Sequence, residues 1–344
     1  ILVNRLIVLL IAFFFINNCS LNENSRIWKD KDKELSTKSN VKKIFEEKKI
    51  VVEEFNQILN LDLSGINTNN KFTSNQNDFG SQSYRGELKK IGSYKFSKLE
   101  ELSQINFKPL FIENDIVFFD KKGSIIRFNE NQKILWKKNY YTKSEKKLRP
   151  KLDFIFHEEN ILVSDSVAKY YSINANTGEL NWSKNNNYPF NSEIKKYKNK
   201  FFVIDYKNTL RCYKIEDGSE CWNLPTEESF TISNSKYSLI ILNDMVLFSN
   251  SIGDITAVDV DSGLIIWQLP TQSISILNET YDFKTSKLVS DGNSIFFSNN
   301  KNEFYSIDIK TGTTNWISEI NSNITPVITG NLIFTVSNKG YLYA

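Results

Sequence analysis

The chain has 344 residues, 40% of them apolar, which is enough to bury a sizeable core and excludes disorder throughout. Its 43 basic and 40 acidic residues are interspersed and leave a formal charge of only +3, so no electrostatic footprint for nucleic acid is present. A single histidine argues against a histidine-built metal site or catalytic triad, while 25 Phe and 15 Tyr lean the composition towards strands.

The sequence opens on Ile1 rather than Met and stops at Ala344 inside a strand-like run, so it reads as a fragment, or as a chain with an unusual start codon at the front and a missing tail. Residues 1–19 have the shape of a bacterial secretory signal: Arg5, an apolar run from Leu6 to Ile16, then Asn17-Asn18-Cys19. The run is too short to cross roughly 30 Å of hydrocarbon. Cys19 directly after it resembles a lipobox cysteine, whose thiol is acylated and becomes the new first residue. Asn18 stands where a small residue is usual, which leaves open an ordinary signal or anchor with an incidental cysteine.

Residues 20–95 do not repeat. The stretch after Cys19 is polar and suits a tether between lipid and domain. Val41, Ile44, Phe45, Lys48, Val52 and Phe55 trace one face at helical spacing and predict a short amphipathic helix over 41–55. Residues 58–65 alternate like a strand, and 67–86, rich in Asn, Ser, Gln and Gly, read as loop.

From about residue 96 onward the chain is periodic. Trp136, Trp182, Trp222, Trp267 and Trp316 recur roughly 45 residues apart, the period of a repeat architecture. Each closes the same local grammar, clearest in Gly253-Asp-Ile-Thr-Ala-Val-Asp259-Val-Asp-Ser-Gly263-Leu-Ile-Ile-Trp267. Gly178, Gly218, Gly263 and Gly312 stand four residues before their tryptophans, and the first copy has Gln132 instead. Alternating apolar residues predict a strand, the glycine a turn or bulge with positive φ, and the tryptophan the end of a returning strand. A second strand pair lies upstream in each period, as at 238–250, 287–299 and 325–338. Four short strands per period make one blade, with about five and a half blades present. Regular spacing at equivalent positions assigns the tryptophans to packing between blades.

The grammar G-x-x-x-A-[LV]-D-x-x-[TS]-G-x-x-x-W resembles the PQQ-type β-propeller repeat over roughly 96–344. A lipidated single propeller of this kind is similar to the BamB family of outer-membrane lipoproteins. That resemblance implies an all-β, eight-bladed propeller in the full-length protein, at the periplasmic face of the bacterial outer membrane. It implies protein partners in the β-barrel assembly machinery, a membrane link through the lipid anchor, no cofactor and no catalytic residues. Two rivals carry the same repeat: a fragment of a PQQ-dependent dehydrogenase, and an exported propeller that binds sugar or peptidoglycan. The dehydrogenases carry adjacent cysteines that stack on the quinone, whereas Cys212 and Cys221 are not adjacent here. Asp120, Asp165 and Asp205 recur near strand ends, which fits turn chemistry better than calcium ligation. Cys212 and Cys221 lie on the two strands of one hairpin, so a cross-strand disulfide and two buried thiols both remain open.

Overall fold

The computed structural model describes residues 80, 90, 92–96, 108–227, 236–271 and 284–344. All fall in the unit formed by Glu53–Ala344. Cys19 and the expected helix over 41–55 lie outside the described residues.

Every sheet is an antiparallel meander in chain order. The first holds β1 (Leu110–Ile112), β2 (Asp115–Phe119), β3 (Ile125–Phe128) and β4 (Ile134–Lys138). The second holds β5 (Leu152–His157), β6 (Asn160–Asp165), β7 (Lys169–Asn174) and β8 (Leu180–Asn185). The third holds β9 (Lys195–Tyr197), β10 (Lys200–Ile204), β11 (Thr209–Lys214) and β12 (Glu220–Pro225). The fourth holds β13 (Leu239–Leu242), β14 (Met245–Ser249), β15 (Ile255–Asp259) and β16 (Ile265–Leu269). The fifth holds β17 (Val289–Ser290), β18 (Ser294–Ser298), β19 (Phe304–Asp308) and β20 (Thr314–Ser318). A sixth sheet has three strands, β21 (Val327–Thr329), β22 (Leu332–Val336) and β23 (Leu342–Tyr343). Five complete sheets and one partial sheet agree with the repeat count.

In the second to fifth sheets the second and third strands are buried at nearly every consecutive position, because both of their faces are covered. Successive side chains of a strand point to opposite faces. In β10, Phe201 and Val203 join the core shared with the second sheet, while Phe202 and Ile204 join the core shared with the fourth. The same division gives five apolar clusters, each lying between two consecutive sheets. Phe201, Phe202, Phe248 and Phe297 are fully buried in them. Each such side chain contributes about 1.5–3 kcal/mol of apolar burial.

The hairpin between second and third strands has one recurrent device. Asp120 Oδ1 accepts the backbone N–H groups of Lys122 and Ser124, both at 2.9 Å. Asp165 does the same for Val167 and Lys169, and Asp205 for Lys207 and Thr209. Asn250 and Asn299 repeat it in the fourth and fifth sheets. The carboxylates expected to serve turns are therefore Asx-turn acceptors.

The hairpin between third and fourth strands carries a bulge in all five sheets. The tryptophan pairs with the third strand just after the bulged residue, as in Cys212↔Trp222 and Ala257↔Trp267. Gly178, Gly218, Gly263 and Gly312 take φ values of 68, 68, 74 and 71°. Gln132 holds the same left-handed backbone, at 62°, without being glycine.

One short helix, α1 (Lys143–Lys147), joins the first two sheets. Thr142 and Glu145 form its capping box. Sheets of this kind, packed face to face in sequence around an axis, are the blades of a β-propeller.

Candidate functional site

Four of the five sequence-expected tryptophans meet the glycine of the next copy, not their own. Trp136 lies against Gly178, Trp182 against Gly218, Trp222 against Gly263, and Trp267 against Gly312. A methyl group on any of these glycines would sit 2.5–2.8 Å from the nearest indole atom. Each indole N–H also donates to a backbone carbonyl three residues before that glycine: Ala175 at 2.9 Å, Ile215 at 3.1 Å, Val260 at 3.2 Å and Ile309 at 2.8 Å. Glycine is thus required twice, for its left-handed backbone and for the indole lying on it. Trp316, in the fifth sheet, stacks on Phe304 and remains 41% exposed.

The Gln132 exception follows from the same contact. Gln132 faces residues 92–93 rather than an indole: the Ser93 N–H donates to Gln132 Oε1 at 3.1 Å. Tyr94 and Phe96 pack edge-on against Phe128, at 5.6 and 5.1 Å. A larger residue is accommodated because a thin extended segment lies there.

A second constellation, absent from the sequence expectations, gathers around the inner strands. The Lys236 ammonium meets both carboxylate oxygens of Asp153, at 2.5 and 2.6 Å. Lys287 pairs with Glu193, and Lys195 stands 3.7 Å from the same carboxylate. Asp153 belongs to the second blade and Lys236 to the start of the fourth; Glu193 belongs to the third and Lys287 to the fifth. Pairs that skip a blade reach past the intervening one on the side of the sheets nearest the propeller axis, where the first strands lie. Lys108, just before β1, joins the same field.

Burial pushes the Asp153 carboxyl up, with the Lys236 ammonium pulling against it. Burial would also raise Glu193, yet Lys287, Lys195 and Lys108 hold it well below the usual carboxylate range. Burial lowers Lys108 below the usual lysine range, opposed by Glu193 and reinforced by repulsion from Lys287, Lys195 and Lys236. Four ammonium groups therefore surround two carboxylates, a field that favours an anionic group over a cation. One signal in the sequence marks these residues: Lys108, Glu193, Lys236 and Lys287 each stand two or three residues before a first strand.

The fourth strands form the outer rim. Each pairs on one side only. They expose apolar side chains, among them Ile134, Leu135, Leu180 and Ile317, with Leu264, Ile265 and Ile266 consecutive in the fourth blade. His157 ends β5, its Nδ1 3.5 Å from Lys196 Nζ. Among the described residues no group of three or more His, Cys, Asp and Glu side chains is placed to hold a metal ion.

A family model described as "Outer membrane protein assembly factor BamB" matches residues 121–344. A comparison with curated proteins finds no significant match. Among solved structures, BamB from Moraxella catarrhalis aligns with a TM-score of 0.59 and 15% identity, over 71% of this chain and 72% of that one. The computationally designed Ika8 protein aligns with a TM-score of 0.53 and 13% identity, over 68% of each chain. At these identities the two structures speak for the fold alone. The family model spans well over half of the chain and covers nearly all of the clasped blades. By that match, on a propeller whose repeated tryptophans the sequence assigns to packing between blades, the chain belongs to the BamB family of PQQ-repeat proteins.

Proposed function

We propose that this chain is a lipid-anchored scaffold at the periplasmic face of the outer membrane, holding protein partners of the β-barrel assembly machinery. The observation that carries the reading is the family match over residues 121–344. The outer rim supports it. Fourth strands with one unpaired edge and exposed apolar side chains offer an extended partner segment both backbone hydrogen bonds and side-chain contacts. Blades packed on both faces keep that rim rigid, so binding orders the partner and not the scaffold. The anchor is Cys19, whose thiol is acylated and which becomes the first residue once residues 1–18 are removed.

A photo-crosslinking side chain at position 266, in the full chain expressed in its own envelope, tests the reading. Irradiation is expected to join the protein to the barrel insertase or one of its accessory lipoproteins. Folded protein that crosslinks to none of these overturns it. The anchor has its own readout: fatty-acid labelling of the wild type is expected and Cys19→Ala abolishes it, whereas labelling that survives the substitution refutes Cys19 as the acylated residue.

A further inference from the structure

The third blade differs from its neighbours at one pair of positions. Its third and fourth strands pair Cys212 with Trp222 and Tyr213 with Glu220, which leaves Cys221 as the bulged residue. At such a bulge two residues of one strand face a single residue of the other, so Cys221 and Cys212 share a side of the sheet. Both belong to the core between the third and fourth blades, Cys212 buried and Cys221 packed against it half-exposed. Both thiols are free.

The sister blades measure how close these positions come. In the second blade they are Ser172 and Asn181, whose side chains meet in a 3.1 Å hydrogen bond. In the fifth blade they are Ser306 and Asn315, again bonded, at 3.2 Å. The fold thus holds this pair in side-chain contact wherever both residues have polar side chains. Only the third blade fills it with two sulfurs.

We propose that Cys212 and Cys221 are an intramolecular dithiol that closes to a disulfide across the bulge of the third blade. A disulfide needs two thiols that can meet across facing strands, and the side-chain contacts of the sister blades, together with the contact between the Cys212 and Cys221 side chains, put the two sulfurs within reach of each other. The oxidant is a small-molecule or protein disulfide. The half-exposed Cys221, as thiolate, attacks one donor sulfur, forms a mixed disulfide and releases one donor thiolate. Cys212 then loses its proton and attacks Cys221 Sγ, displacing the second donor thiolate. Two electrons pass from the cysteine sulfurs to the donor, and the two protons end on the released thiols. Burial pushes the Cys212 thiol well up, and the nearby Lys200 ammonium opposes this, so the second step is the slow one. The inference concerns the chemistry of the blade and does not depend on the proposed function.

The test uses the full chain, reduced, freed of reductant and incubated at neutral pH with oxidised glutathione. Remaining thiols are alkylated and the peptides mapped by mass spectrometry. A linked peptide joining Cys212 to Cys221, with two hydrogens lost and neither cysteine alkylated, is the expected result. Both cysteines alkylated, a glutathione adduct persisting on Cys221, or a bridge from Cys221 to Cys19 would each overturn it. A second measurement is the melting temperature of the oxidised protein. It is expected to fall by roughly 5 °C or more on adding reductant, because a crosslink restricts the unfolded chain. Cys221→Ser is expected to lose that dependence on reductant; a variant that keeps it contradicts the assignment.

Discussion

Gly312→Ala isolates the blade-to-blade clasp. The substitution adds one methyl to a residue at φ +71°, where alanine costs about 1–2 kcal/mol in backbone strain. That methyl would lie 2.5 Å from Trp267 Cδ2 and 2.8 Å from Cε3, so the indole has to shift by about an ångström. The shift disturbs an apolar core and loosens the 2.8 Å bond from Trp267 to the Ile309 carbonyl, adding about 1–3 kcal/mol of overpacking. The total is about 2–5 kcal/mol. Gly292 supplies the control, since its φ is +98° and nothing lies within 4 Å of an added methyl. Gly292→Ala therefore carries backbone strain alone. Urea unfolding followed by far-ultraviolet circular dichroism reads both variants. The expected gap is about 1–3 kcal/mol, and it should close when both glycine variants are remade on Trp267→Ala. Equal costs for the two variants, or a gap that survives removal of the indole, would refute the clasp.

Two further predictions concern charge. Burial raises the Asp165 carboxyl from 3.8 to about 6, against hydrogen bonds from Tyr141, Lys169 and Val167. Its stabilising contribution is therefore complete below its unfolded pKa and is lost as pH rises through about 6. Asp165→Asn should gain on the wild type by roughly 3 kcal/mol between about pH 4 and pH 7, read from unfolding midpoints; parallel pH profiles would contradict this. Glu193 has the opposite sign: its depressed carboxyl stabilises at neutral pH and that contribution disappears in acid. Glu193→Gln should cost about 1–2 kcal/mol, below the value for a fully buried pair because both partners keep some water contact, and added salt should restore part of it. A variant as stable as wild type at low salt would dismiss the axis pairs as incidental.

Features set by one period of chain were legible in the sequence. The tryptophans, the four positive-φ glycines and the strand pairs at 238–250, 287–299 and 325–338 were all found from their local pattern, because every copy solves the same packing problem. Even the Gln132 exception was visible, although its cause was not: it depends on residues 92–93, which lie outside the repeat. The helix α1 was missed despite its Thr142–Glu145 capping box, being only five residues long and without a buried side chain. The axis cluster was hidden for a different reason. Lys236 and Asp153 are 83 residues apart, and Lys287 and Glu193 are 94, on blades that do not touch in sequence order. The place of Lys108, Glu193, Lys236 and Lys287 before a first strand was the one signal available, and it does not say which lysine meets which carboxylate, since the members of each pair come from different copies.

Those same pairs change how the molecule comes apart. An array in which each repeat touches only its neighbours behaves as a one-dimensional chain, free to fray from either end one unit at a time. Ties from the second blade to the fourth and from the third to the fifth bypass the intervening unit. Losing any one of these four blades then weakens a unit that it does not adjoin, which couples distant melting events into a sharper, more collective transition.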